Sequence, residues 1–337
     1  MVVAFSSGSY QDCAPTGISA ARRKYVRSGL SAPATSAVGT SGRRRRGRTA
    51  AGWASVNGTI GPYGTGGVGL RRPVGPTGAA VLSAMSFDVA AEAYDRFMGR
   101  FSVPLAPLLA DAADVRAGQT ALDVGCGPGA LTTELVARLG ADAVTAVDPS
   151  EPFVVAARER LPGVRVLTGV AENLPLADDS VDRAAAQLVV HFMADPVAGL
   201  VEMGRVTRPD GLLAACVWDH GGGRGPLSLF WRAVHDLDPT ARGEGGDRPG
   251  TSEGGLGDLC RRAGLTVVEE TSLTVSSWCS NPEDWWGPFE LGVGPAGAYV
   301  AHLDEAHRQA LRQHCIGVLP TGRFAMEATA WCVTARP

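Results

Sequence analysis

The sequence predicts an α/β fold with a mostly parallel sheet and helices on both of its faces, and three observations carry that prediction. An apolar run, Ala121, Leu122 and Val124, ends in a glycine-rich turn that opens into a segment with helical spacing. A second apolar run, residues 143–147, ends in an acid, Asp148. From there to Trp218, apolar strands and helices alternate, the order from which parallel sheets with crossover helices are built.

The first strand is apolar almost without interruption, as a strand buried on both faces must be. Gly125, Gly127 and Gly129 then allow a sharp turn without Cβ clashes and let a ligand approach the backbone closely. Leu131, Leu135, Val136 and Leu139 recur at helical spacing, and Gly140 offers a stop. Asp148 falls at a strand's carboxyl end. Ligands of open α/β sheets bind outside those ends, so an acid there is placed to accept hydrogen bonds from a ribose. Gly125, Gly127 and Ala130 also satisfy the dinucleotide pattern GxGxxG/A, with Asp148 about 20 residues onward, so an NAD-type site and other nucleotide cofactors both fit at this point.

Further along, the pattern predicts a helix over 153–161, a strand over 164–167 and a polar loop at Ala171 and Glu172. A central strand follows over 181–190, then a helix over 196–206, a turn at Pro209-Asp210-Gly211 and a strand over 212–218. Glycine-rich segments 219–225 and 241–257 bracket a helix bearing Leu229, Phe230, Val234 and Leu237, and they are lid candidates. A helix over 259–263, a strand over 265–275, a helix over 304–314 and a strand over 325–334 complete the alternation. Upstream, Val89, Tyr94, Phe97 and Met98 share helical spacing, and Leu105, Leu108 and Leu109 form a second stripe, so both helices are expected to cover the pocket.

Charge divides the chain. Residues 1–85 hold 11 Arg or Lys and one acid, Asp12, while the remainder holds 20 basic and 33 acidic residues. The first segment is rich in Gly, Ser, Ala and Thr and has no sustained apolar period, so it cannot bury enough surface to offset chain entropy. Residues 1–84 are expected to be a disordered basic extension, or to precede the true start at Met85, where MSFDVAAEAYDRFMGR begins with domain-like composition. The domain is expected to run over 85–337, with cap or lid segments at 85–116 and 219–320. Seven cysteines without a CxxC pair predict reduced, cytoplasmic thiols and no metal site, and His302, His307 and His314 share no single metal-binding spacing. The acidic domain and the lack of a long apolar stretch argue against nucleic-acid and membrane partners. Oligomeric state is not legible.

Asp123, two residues before the first glycine, and Pro128-Gly129, where a dinucleotide loop continues to its third small residue, narrow the cofactor. DVGCGPG (123–129) resembles the cofactor loop of class I S-adenosylmethionine-dependent methyltransferases, and AENLPLADDSVD (171–182) and RVTRPDG (205–211) resemble two further motifs of that family, in the same order. The resemblance covers about residues 86–335 and is strongest over 122–218. It implies a Rossmann-like, seven-stranded, mostly parallel sheet with an antiparallel edge strand, S-adenosyl-L-methionine as cofactor, and methyl transfer to an O, N or C nucleophile of a small molecule. It places Gly125, Cys126, Gly127 and Gly129 under the cofactor and Asp123 at its amino-acid end, acting through the loop. Asp148 with Pro149 falls at the ribose, Ala171 and Glu172 at the adenine edge, and Tyr94 near the amino-acid end. Gly169 and Val170 stand where family members often carry an acid.

Gln187 is polar inside an apolar run and needs partners, which the resemblance locates in the loop beneath the methionine part of the cofactor. His191 follows where family members turn toward substrate. An imidazole there is either a general base or a packing histidine. Trp278, Trp285, Trp286, Pro288 and Phe289 concentrate where the family varies its substrate cover, and either contact substrate or fill a core. A nicotinamide oxidoreductase and a non-catalytic module that binds S-adenosylmethionine remain alternatives.

Overall fold

The computed structural model describes residues 91–244 and 248–337. The expectations for the basic extension, for Met85 and for Val89 lie outside the described residues. Strands β1 (Ala121–Val124), β2 (Val144–Asp148), β3 (Arg165–Thr168), β4 (Val181–Gln187), β5 (Thr207–Trp218), β6 (Thr266–Cys279) and β7 (Phe324–Arg336) form one sheet in the order β3-β2-β1-β4-β5-β7-β6. All pairs from β3 across to β5 are parallel, and β7 runs antiparallel to both β5 and β6. The antiparallel strand lies one place in from the edge, and β6, which precedes it in the chain, takes the outermost position.

Strand order reverses at β1, which has β2 on one side and β4 on the other. In open α/β sheets ligands bind at the carboxyl ends of the strands beside such a switch point, and the glycine turn leaves β1 at that end. A short helix, Ala91–Tyr94, and a π turn, Asp95–Gly99, lead into α1 (Arg100–Ala112). Helices α2 (Ala130–Leu139) and α3 (Glu151–Arg160) follow the first two strands. Leu105 and Leu109 of α1 and Leu131 and Leu135 of α2 pack against Ala121, Ala185 and Cys216 on one face of the sheet. Val154 and Ala157 of α3 pack on Ala146, which shares that face. The opposite face, with Leu122, Val124, Ala184 and Ala186, is covered by Leu200 and Met203 of α4 (Pro196–Val206), beside Leu256 and Leu259 of α6 (Gly255–Arg262). The run Ala184-Ala185-Ala186 keeps β4 slim, so helices on both faces close onto it.

Several expected boundaries shift, among them the start of α6 at Gly255 and the end of β6 at Cys279, and two shifts lie beside the site. β5 begins at Thr207 rather than 212, because Val181 pairs with Thr207 and Arg183 with Leu212, so the Pro209-Asp210-Gly211 turn is a bulge within the strand. β4 ends at Gln187 rather than 190. Leu188 there adopts φ +63°, a left-handed conformation that costs a leucine about 1–2 kcal/mol, and it throws the chain out of the sheet into the turn Val190–Phe192.

A third cluster forms a separate layer from α5 (Ser228–Leu237), α7 (Pro282–Trp286), α8 (Gly294–His302) and α9 (Glu305–Gly317). Phe230 stacks on Phe289 with ring centroids 4.4 Å apart, and Trp285 and Trp286 are buried around them. Of the aromatic residues considered for substrate contact, Trp285, Trp286 and Phe289 therefore fill a core. Trp278 is exposed on β6 beneath the Arg323 guanidinium, 4.4 Å from its ring. No helix among the described residues is long and apolar enough to cross a membrane.

Candidate cofactor and acceptor site

The glycine turn is hydrogen-bonded into the end of β2. The amides of Gly125 and Cys126 both donate to the Val147 carbonyl, at 2.7 and 3.1 Å, and the Gly127 amide donates to Asp148 Oδ2 at 2.8 Å. The Ser150 amide donates to Asp148 Oδ1 at 2.8 Å, so this one carboxylate fixes the turn and the start of α3 together. Asp148 is buried, and burial raises its pKa despite the two amides. Pro149 beside it is exposed.

The glycines have different reasons to be glycine. Gly125, at φ +70°, lies against Val189 of the β4 exit, so a Cβ would overlap that side chain. Gly129, at φ +98°, begins α2 with Leu161 close by. Gly127, at φ +53°, faces open space. That open cradle leaves room for a ligand to lie on the turn. Cys126 is buried with its amide on β2, and its thiol is shifted up by burial and by the nearby charges of Asp123 and Asp148.

Asp123 is fully buried. Its Oδ2 accepts from Thr132 Oγ1 at 2.6 Å, while Oδ1 has no partner. Burial pushes its pKa up to about 7, a position sensitive to any donor that reaches Oδ1. Gln187 projects from the same face of the sheet. Its Nε2 donates to the Ser102 carbonyl of α1 at 3.0 Å, not to the glycine turn as expected, because alternation along β4 points it at that helix. Its Oε1 is buried without a partner. Two orphaned acceptors of a kind that bind an ammonium or an amide donor thus stand on this face, and together with the Gly127 cradle and Asp148 they fit S-adenosylmethionine.

Other expected residues take different positions. Tyr94 is half-buried, its ring edge-on to Phe153 at 5.3 Å, and its pKa is raised by burial and then by Asp148, Asp95 and Glu244. Ala171 is buried in the core beneath its loop. Glu172 Oε1 accepts from the Asp195 amide at 3.0 Å, which ties the 171–172 loop to the start of α4. Arg205 anchors the same loop through the Leu174 and Leu176 carbonyls at 3.1 and 2.9 Å.

His191 sits in the turn after β4, buried, with its ring 3.9 Å from Phe192 and Nδ1 without a partner. Burial first, then His220 and Arg248, hold its pKa well below the usual histidine value, so the ring is neutral. His220, at the exit of β5, lies 5.8 Å from it and is brought down to about 4 by burial and Arg248. His220, Glu244 and Arg248 were not singled out from sequence. The exit of β5 is a sequence signal for His220, since ligands gather at strand carboxyl ends, whereas nothing in the local pattern marks the other two. Arg160 was also missed. It joins Pro128 of the glycine turn, 2.9 Å from its carbonyl, to Asp95 at 2.6 Å.

The segment 219–225, expected as a lid, carries hydrogen bonds of its own and to a neighbouring loop. Asp219 accepts from the Gly222 amide at 2.7 Å and from Arg224 Nε at 2.6 Å, and the Gly221 amide donates to the Thr251 carbonyl at 3.0 Å. The fold and site together define a nucleotide-cofactor-binding α/β domain.

Comparison with known proteins narrows the class further. Residues 122–215 match the family model described as "Methyltransferase domain". The chain is similar to an uncharacterised 37.1 kDa protein of a Streptomyces fradiae transposon, 43% identical over 110 residues and 32% of each chain. It is also similar to an uncharacterised methyltransferase of Mycobacterium bovis, 41% identical over 40% of this chain and 53% of that one. A malonyl-[acyl-carrier protein] O-methyltransferase of Pectobacterium atrosepticum is 36% identical over 47% of this chain and 60% of that one. The chain thus spans between a third and three fifths of the length of these relatives. Over residues 122–215 the chain is thus similar to methyltransferase domains, a likeness that agrees with a turn and buried acceptors that fit S-adenosylmethionine.

Proposed function

We propose that the chain is a methyltransferase acting on a small molecule. The observation that carries this reading is the Gly127 cradle between two buried acids: open space above the turn, Asp148 gripping it from one side, and Asp123 with an unused oxygen on the other. Bound there, S-adenosylmethionine supplies a methyl group already activated on a sulfonium. The protein's part is to bind, orient and exclude water.

Asp148 offers its remaining lone pairs to the ribose while holding the turn beneath it. Asp123 and Gln187 receive the donors at the amino-acid end, and the 171–172 loop, held by Arg205, borders the adenine. His191 presents a neutral imidazole at the acceptor side. Because its proton affinity is lowered, its role is to position the acceptor through a hydrogen bond rather than to remove a proton. A nicotinamide reading is not favoured, since the acid before the first glycine and Pro128 depart from a dinucleotide turn.

Calorimetry with S-adenosylhomocysteine tests the assignment. Asp148→Ala removes one or two charge-assisted hydrogen bonds to the ligand and is expected to weaken binding by about 2–4 kcal/mol. Unchanged affinity would defeat it.

A further inference from the structure

We propose that Arg248, with His191 and His220, forms a recognition site for an anionic methyl acceptor, a carboxylate or an ionised acidic hydroxyl. This rests on the methyltransferase reading and names the acceptor class for the same site.

The three side chains come from different parts of the chain and converge beside the exits of β4 and β5. The Arg248 guanidinium lies over the Phe192 ring at 5.0 Å, Phe192 packs on His191 at 3.9 Å, and His191 lies 5.8 Å from His220. Two residues before His191, Val189 rests on Gly125 of the cofactor turn, so the cluster adjoins the cradle. His191 is buried, and its Nδ1 lacks a partner among the described residues, a cost that a ligand's hydrogen bond would remove.

Charge decides the sign. Among the described residues no carboxylate lies within 4.0 Å of the Arg248 guanidinium, although Arg100, Arg138, Arg160, Arg205 and Arg224 each have one. Glu244, whose carboxylate accepts from Trp231 Nε1 at 3.4 Å, is buried, which raises its pKa, while the Arg248 charge opposes that rise from beyond ion-pair distance. Both imidazoles are neutral and so present N–H donors without adding charge. A guanidinium on an aromatic face, flanked by neutral donors, suits a planar anion. A cationic acceptor would be repelled by Arg248, which no carboxylate pairs within 4.0 Å among the described residues. An acceptor that arrives ionised also needs no base, which agrees with the low proton affinity of His191.

The test uses full-length protein saturated with S-adenosylhomocysteine and three probes of one shape: benzoate, benzamide and benzamidine, titrated by ligand-observed NMR. Benzoate is expected to bind at least roughly tenfold more tightly than either other probe, and Arg248→Gln to abolish that preference while leaving S-adenosylhomocysteine affinity intact. Glu244→Gln is expected to leave the preference in place. A preference for benzamidine, an undiminished preference in Arg248→Gln, or no preference at all, including no binding of any probe, overturns the proposal. Failure of S-adenosylhomocysteine to bind, with the benzoate preference retained, would instead overturn the cofactor reading and leave the anion site standing.

Discussion

Replacing Gly125 by alanine strains the cofactor turn at its tightest point. The residue has φ +70°, and its new Cβ would stand 2.8 Å from Val189 Cβ and nearer still to Cγ2. The left-handed conformation costs a non-glycine residue about 1–2 kcal/mol, and overpacking adds about 1–3 kcal/mol. Reduced freedom of the unfolded chain returns about 0.4–1 kcal/mol. The expected net loss of stability is about 2–4 kcal/mol, measured by urea denaturation. Val189→Ala in the same chain removes the two Cγ contacts but keeps Cβ at 2.8 Å, so it should restore only part of the steric loss and none of the conformational part. Gly127→Ala is the contrast: φ +53° with nothing within 4 Å, so about 1 kcal/mol or less is lost in folding while S-adenosylhomocysteine affinity collapses as the cradle fills. Equal stability losses in the two variants, or no recovery in the double variant, would refute the assignment of one glycine to packing and the other to ligand.

Three further outcomes follow from the same structure. Burial raises Asp123 to about 7 from an ordinary value of 3.8, so the folded ligand-free protein holds a proton that the unfolded chain has released between those values. Asp123 therefore makes stability fall as pH rises through that window, and Asp123→Asn should gain on the wild type by a few kcal/mol between about pH 5 and pH 8. Urea midpoints whose difference does not change with pH would contradict this. Trp286, buried in the third cluster and donating to Glu290 at 2.8 Å, should cost about 3–5 kcal/mol when cut to alanine, with S-adenosylhomocysteine affinity unchanged in the folded fraction. Arg205→Met removes the bonds to two loop carbonyls and should weaken S-adenosylhomocysteine by about 1 kcal/mol, seen by calorimetry, without abolishing binding; no change would show that the loop does not need this anchor.

Elements whose pattern is local were legible in the sequence: β1, the glycine turn, α2 and β2 follow from apolar runs and glycine alone. What the sequence could not show was set by tertiary geometry. The exit of β4 escaped because Leu188 takes a left-handed conformation that only the surrounding packing enforces. Gln187 was known to need a partner, but the partner is a backbone carbonyl 85 residues away, fixed by which face of β4 meets α1. The position of β7 between β5 and β6 is a pairing choice that apolar alternation does not encode. Trp285 and Trp286 look alike as cover or as core, and only the helices around Phe230 decide. Glu244 and Arg248 sit in a glycine-rich stretch with no period at all, and chain folding alone brings them to the site.

The central claim is that the cradle holds S-adenosylmethionine. Calorimetric titration of the full-length chain with S-adenosylmethionine, S-adenosylhomocysteine and NADH tests it most directly. Saturable binding of the first two, at about micromolar Kd or tighter, with no response to NADH, is the predicted result. Binding of NADH alone would contradict it.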